Sequence, residues 1–182
     1  MSPAHIAGLH IWPPDEDTPV AVESLVLDWG GPVGDRHHGV TTRSDSRQKW
    51  LYPPDQEIRN NRQLSLVDTT ELALIAAKLG LPELAPGTLA DNICTTGIAD
   101  LTAMTPMSRL VVGDDDPVVI VLGGENTPCT IAGGLVQARY GTSPENFPKA
   151  ATRHRGVTGW VERPGTVRVG MPVRTVPTRP TA

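Results

Sequence analysis

The stretch VTGWVERPGTVRVGMPVRTV, residues 157–176, sets the fold class. Valine alternates here with polar residues, and turn signals stand at Pro164-Gly165 and near Gly170. Alternation at period two marks strands with one buried face, and strands this short and closely spaced point to a barrel or a sandwich. The same reading extends upstream. VAVESLVL (20–27) is β-branched and apolar, and RQLSLV (62–67) alternates. RLVVG (109–113) and PVVIVL (117–122) flank Asp114, Asp115 and Asp116 as a hairpin with an acidic turn. Eighteen glycines and eighteen prolines leave little room for long helices.

One helix signal stands out, in VDTTELALIAAKLGLP. Asp68 is a candidate N-cap with Glu71 three residues on, the spacing of a capping box. Leu72, Ile75, Ala76 and Leu79 make one apolar stripe, and Gly80 and Pro82 stop it. A second helix is expected from about Gly133 to Tyr140. Two long polar loops remain, 28–61 and 141–156, of the kind that is functional or disordered. The chain therefore reads as mainly β with a few helices, one domain over residues 1–176 with a flexible tail at 177–182.

Composition narrows the function. The chain has 182 residues with a net charge of −4, which argues against a broad nucleic-acid surface. No apolar run approaches a membrane span of roughly 20 residues. The N-terminus lacks the basic and apolar regions of a signal peptide, so the cytoplasm is the expected compartment. In that reducing setting the two cysteines, Cys94 and Cys129, are expected as separate thiols. Thirteen arginines stand against three lysines, and arginine is the better bidentate binder of phosphate and carboxylate.

Polar clusters recur near the ends of the predicted strands: GDRHHG (34–39), RNNRQ (59–63), DNICTTG (91–97) and RHRG (153–156). A thiol stands apart from them in GGENTPCTIAGG (123–134), directly after Pro128 and where a strand gives way to a loop. That is where chemistry is often mounted, although a free cysteine is also a common core residue. Cys94, preceded by Ile93, reads as a core thiol. Adjacent His37 and His38 point in different directions and lack a CxxC or HExxH partner, which disfavours zinc.

The ordered set GDRHHG, RNNRQLSLVDTTELALIAAKLGLP, LADNICTTGIADLTAM, SRLVVG, GENTPC and RGVTGWVERPGTVRVGMPV resembles the MOSC domain family, over residues 30 to 176. The resemblance implies a MOSC-type β-barrel in a small stand-alone member. It implies association with the molybdenum cofactor, a pterin bearing a dithiolene and a phosphate. Cys129, in the Pro-Cys pair, would then be the catalytic residue and the molybdenum ligand. Asn92, Arg36, Arg62, Gln63, Arg153 and Arg155 would be the cofactor-binding residues. Many enzymatic relatives carry an arginine just upstream of the Pro-Cys pair. This chain has Glu125, Asn126 and Thr127 there, and a carboxylate beside an anionic cofactor is unfavourable unless it points away or meets an arginine.

The leading expectation is an oxidoreductase that reduces N-hydroxylated or N-oxide compounds. Its partners would be a small-molecule substrate and an external electron donor, with no nucleic acid and no membrane. The alternatives are a sulfur or cofactor carrier using a Cys129 persulfide, a metal-free thiol enzyme with Cys129 activated by His37, His38 or His154, and a barrel in which Cys129 is merely structural. Pyridoxal phosphate is not expected, because Lys49, Lys78 and Lys149 lack a Schiff-base context.

Overall fold

The structure, a computed structural model, describes residues 3–178. The first half of the chain runs β1 (His5–Ile11), β2 (Val20–Val22), β3 (Ser24–Asp28), β4 (Gly31–Pro32), β5 (Thr41–Arg43), β6 (Glu57–Arg59), β7 (Leu64–Asp68) and α1 (Thr69–Leu79). The second half adds β8 (Ile93–Thr96), β9 (Arg109–Val112), β10 (Val118–Glu125), α2 (Thr130–Tyr140), α3 (Asn146–Ala151), β11 (Val157–Arg163), β12 (Gly165–Arg168) and β13 (Val173–Val176).

Eight strands form one curled sheet in the order β13-β9-β10-β11-β7-β8-β1-β2. The sheet closes on itself. The Ile6 amide donates to Met171 O at 3.0 Å, the Gly170 amide to Ile6 O at 2.9 Å, and the Val173 amide to Ala4 O at 2.9 Å. These bonds join β1 to the start of β13 and make the barrel expected from residues 157–176. The seam covers the edge that β13 would otherwise present, while β2 remains the end strand of the sheet. Neighbouring strands run antiparallel except β7 and β8, which are parallel and joined through α1.

Adjacent residues of a strand face opposite sides, and this sorts two cores. Leu64 and Leu66 point into the barrel with Ile6, Leu9, Leu110 and Ile120. Val67, next along β7, points outward and packs with Ile75, Cys94, Val136 and Phe147 beneath the helices. The stripe of α1 behaves as its spacing predicts, with Leu72, Ile75 and Ala76 buried. The Asp68 carboxylate caps the helix by accepting from the Thr70 amide at 3.0 Å, and it also accepts from Thr95 and Ile98. Glu71 is carried inward, where its carboxylate accepts from the Thr102 amide at 2.8 Å.

Several expectations need correction. Residues 20–27 are not one strand: the chain breaks at Glu23, so that β2 pairs with β1 while β3 pairs with β12. The polar stretch 28–61 is not structureless. It holds β4 and the exposed β5–β6 hairpin, whose three-residue strands offer no apolar pattern to read. Likewise 141–156 holds α3, six residues that bury Phe147, Ala150 and Ala151. The second helix begins at Thr130 rather than near Gly133. The tail expected from residue 177 starts with Thr178 bonded to Ser108 and Pro106, and 179–182 lie outside the described residues. Among the described residues no helix is long and apolar enough to cross a membrane.

Candidate functional site

A cleft of about 290 Å³ opens at one end of the barrel, between the β5–β6 hairpin, the GDRHHG loop and the start of α2. Cys129 lies in its wall. The residue is the N-cap of α2, with extended backbone at φ −143° and ψ 167°, and its side chain caps nothing. Amides in the first turn of a helix have no intrahelical carbonyl to bond. The sulfur is thus carried at the positive end of a helix with no acidic residue in its first turn. Gly133 in this helix packs so closely on the next loop that a Cβ would lie 2.4 Å from Pro144 O.

Two arginines flank the thiol. Arg62 is half-buried and donates from Nη2 to Asn126 Oδ1 at 3.1 Å. Burial draws its pKa below the usual arginine range, the charge of Arg47 adds to this, and Asp45 and Cys129 oppose it. Arg155 donates from Nη2 to Leu89 O at 3.2 Å. Its Nε is sealed from solvent and has no partner. Burial lowers the Arg155 pKa as well, against Cys129 and Asp91 and with Arg62 and Arg47. Neither guanidinium is hydrogen-bonded to a carboxylate among the described residues. Asp91 spends both oxygens on the Gly87 amide, and Asp45 is paired with Arg47. An unpaired buried donor costs roughly 1–3 kcal/mol, and the Nε–H of Arg155 is such a donor.

Gly156 sets the position of Arg155. It has φ +78°, and a Cβ there would stand 1.9 Å from Leu66 O. Its amide donates to Thr102 Oγ1 at 2.7 Å and its carbonyl accepts from the Asn126 amide at 2.9 Å. One glycine thereby fixes Arg155 to the strand crossing and Asn126 to Arg155.

Asp35 organises the opposite wall. It is 5% exposed, and one of its oxygens accepts from the Trp12 amide and from Asn92 Nδ2, each at 2.8 Å. The other accepts from the His37 amide at 2.8 Å and pairs with His37 Nδ1 at 3.0 Å.

The residues singled out in the sequence divide accordingly. Cys129, Arg62, Arg155, Asn92 and Arg36 line the cleft, whereas Gln63 and Arg153 do not. Asn92 lines it with a committed amide, since its oxygen accepts from the Ser65 amide and its nitrogen serves Asp35. Arg36 lies over the Trp12 ring at 4.0 Å and donates to Glu16 O at 2.7 Å, a clasp on the 12–16 loop. Gln63 is wholly buried and ties Trp29 O to the Val161 amide. Arg153 is exposed, and its amide donates to Glu125 Oε1 at 2.8 Å. That contact turns the Glu125 carboxylate out of the cleft. Asn126 takes the cleft position instead, holding Arg62.

His37 and His38 both line the cleft, each bonded to its own carboxylate, Asp35 and Asp28. Among the described residues no histidine is hydrogen-bonded to Cys129. No group of three or more His, Cys, Asp and Glu side chains gathers as a metal-binding set among them either. Cys94 is fully buried, and burial pushes its thiol pKa far up. Sequence reasoning missed Arg47, which reaches the site from the loop of the β5–β6 hairpin. The only signal for it was an arginine within a long polar loop.

The family model for the MOSC domain matches residues 35–174. A curated relative from Bacillus subtilis (strain 168), described as "Putative metal-sulfur cluster biosynthesis proteins YuaD", is 33% identical over 171 residues, covering 92% of this chain and 87% of the relative. The crystal structure of the YuaD protein from Bacillus subtilis superposes with a TM-score of 0.89 at 30% identity, over 97% of each chain. The YiiM protein of Geobacillus stearothermophilus shares the fold at a TM-score of 0.65 and 13% identity, covering 96% of this chain and 75% of its own.

Proposed function

Because the chain belongs to the MOSC domain family, we propose that its cleft holds the molybdenum cofactor, with Cys129 as the one protein ligand to the metal. The observation that carries this reading is a solitary thiol flanked by two guanidiniums that no carboxylate occupies. A bare metal ion needs several protein ligands. A metal that arrives already held by dithiolene sulfurs needs only one more soft donor and a cradle for its negative charge. Arg155, with its unpartnered Nε, and Arg62 supply charge-assisted donors to oxo or phosphate oxygens. The bound cofactor would supply two-electron redox chemistry on an N-hydroxylated or N-oxide substrate, with electrons delivered from outside the chain.

The chain's own residues do the rest. Cys129, as the N-cap of α2, would hold the metal, and the α2 N-terminus would favour its negative charge. Asp35 holds the GDRHHG wall in place. Glu125, turned onto the Arg153 amide, removes the like-charge conflict that the sequence raised.

Metal and pterin analysis of protein purified from a cofactor-competent host tests this. Stoichiometric molybdenum is expected in wild type, with loss in Cys129→Ser. Wild-type protein that takes up neither metal nor pterin on reconstitution refutes it.

A second reading is a sulfur carrier with the sulfur held as a Cys129 persulfide. The description of the YuaD relative, which speaks of metal-sulfur cluster biosynthesis, favours it. So does the half-exposed position of Cys129 among positive charges, while Cys94 is sealed away.

A further inference from the structure

We propose that the cleft loads sulfur onto Cys129 from a small sulfur oxyanion of the thiosulfate class, an inference that rests on the carrier reading. Three features of the cleft converge on a tetrahedral dianion next to a nucleophilic sulfur. Cys129 stands free at the start of α2, with its side chain bonded to nothing in the cap. Arg62 and Arg155 both line the cleft, their side chains bonded only to Asn126 Oδ1 and Leu89 O. Arg155 lines the cleft with its charge matched by no carboxylate, and its Nε has no partner within the protein. Arg47 adds positive charge from the hairpin loop, close enough to affect both arginines.

The chemistry balances without a redox partner. The reacting form is the Cys129 thiolate, which attacks the outer sulfur of thiosulfate. A new sulfur–sulfur bond forms at Cys129, and the sulfur–sulfur bond of thiosulfate breaks. The electron pair of that bond leaves with sulfite. One thiolate and one dianion become one persulfide anion and one dianion, so charge is conserved. The sulfite that departs keeps its oxygens on Arg62 and Arg155 throughout, which is preorganised stabilisation of a leaving group. The persulfide that remains faces the free amides of α2. A second thiol, or cyanide in an assay, then removes the outer sulfur and regenerates Cys129.

The test uses the full chain, reduced and freed of small thiols, with thiosulfate as the probe. Sulfite release is measured alongside cyanide-labile sulfur and intact mass. One sulfite and one labile sulfur per chain are expected, both absent in Cys129→Ser. Arg62→Gln and Arg155→Gln should each raise the thiosulfate concentration needed for half-maximal loading by roughly 10- to 100-fold, the worth of one charge-assisted bond. A second readout covers the case in which a variant folds poorly. Cys129 of wild type should react faster with anionic iodoacetate, relative to neutral iodoacetamide, than an exposed model thiol does, and both Gln variants should lose that preference.

If inorganic polysulfide loads Cys129 while thiosulfate releases no sulfite, the oxyanion donor is overturned and the carrier reading stands. If neither loads Cys129, the carrier reading falls and the inference falls with it. Thiosulfate loading that is unchanged in both Gln variants overturns the role given to the arginines.

Discussion

Replacing Asp35 by alanine is expected to cost the protein a large part of its stability. The carboxylate takes four bonds: from the Trp12 amide, the His37 amide, His37 Nδ1 and Asn92 Nδ2. Removal strands these donors unequally. The Trp12 and His37 groups are partly exposed and water can replace the lost acceptor. Asn92 is 5% exposed and keeps only a long contact of 3.3 Å to His10 O. One buried donor at about 1–3 kcal/mol and two wetted amides at about 0.5–1 kcal/mol each give a loss of roughly 2–5 kcal/mol. Asp35→Asn should cost less, about 1–2 kcal/mol. Its oxygen can serve Trp12 and Asn92 while its NH2 donates to the Nδ1 of His37, and the His37 amide is left to solvent.

Urea unfolding followed by tryptophan fluorescence measures both variants, with an unchanged m-value as the sign that the unfolded state is the same. The pH dependence gives a separate check. Burial alone would raise the Asp35 pKa, but the bonds from the His37 ring and from the Trp12 and His37 amides outweigh it, and the net shift is downward from 3.8. A depressed carboxylate contributes stability above its unfolded pKa and loses it as pH falls through its folded value. The gap between wild type and Asp35→Ala should therefore be constant from neutral pH to about pH 4 and narrow only below it. A gap under about 1 kcal/mol at pH 7 would refute the role of Asp35 as the hub of the cleft wall.

Other outcomes follow from single contacts. Gly156→Ala forces a Cβ to within 1.9 Å of Leu66 O at φ +78°, and thermal unfolding should show a loss above about 3 kcal/mol or no folded protein at all. Cys129 should be alkylated by iodoacetamide in the native protein, while Cys94, with its pKa pushed up by burial, should react only after denaturant is added; peptide mapping separates the two. Burial raises the Glu71 pKa above 4.5 despite opposing bonds from the Thr102 and Asp68 amides. Stability from this group is full below pH 4.5 and lost as pH rises through the folded value, so wild type should lose ground to Glu71→Gln between pH 4.5 and neutrality in parallel denaturation series.

The fold was legible where burial imposes a period. Residues 157–176 carry alternating valines bounded by turns, and α1 carries a stripe with its cap and stop, so both were readable from pattern, although β11 starts buried on both faces. The β5–β6 hairpin and α3 were not, because the hairpin strands bury almost nothing and α3 is shorter than two turns. The break at Glu23 escaped notice because VAVESLVL keeps its apolar character across it while changing strand partners. In the site, residue type was legible and direction was not. Arg62 and Gln63 are neighbours in RNNRQ, in the segment that leads into β7, and the first lines the cleft while the second is wholly buried. Asn92 and Arg36 reach the cleft, but their polar atoms are engaged by Asp35 and by the 12–16 loop, a fact of three-dimensional pairing that no local motif encodes.

The seam between β1 and β13 has a kinetic meaning. The bonds from Ile6 to Met171 and from Ala4 to Val173 join residues from opposite ends of the described chain, so they are contacts of the greatest sequence separation available. Loop-closure entropy makes such contacts form late. During synthesis the strands up to β12 can emerge and pair while the ring is still open, with β9 and the first residues of β1 each lacking a neighbour. The two-sided exposure ends only when β13 is released and slides between them. The last strand therefore acts as a latch whose arrival sets the time the nascent chain is exposed to aggregation, and refolding should be slow for a chain of this size.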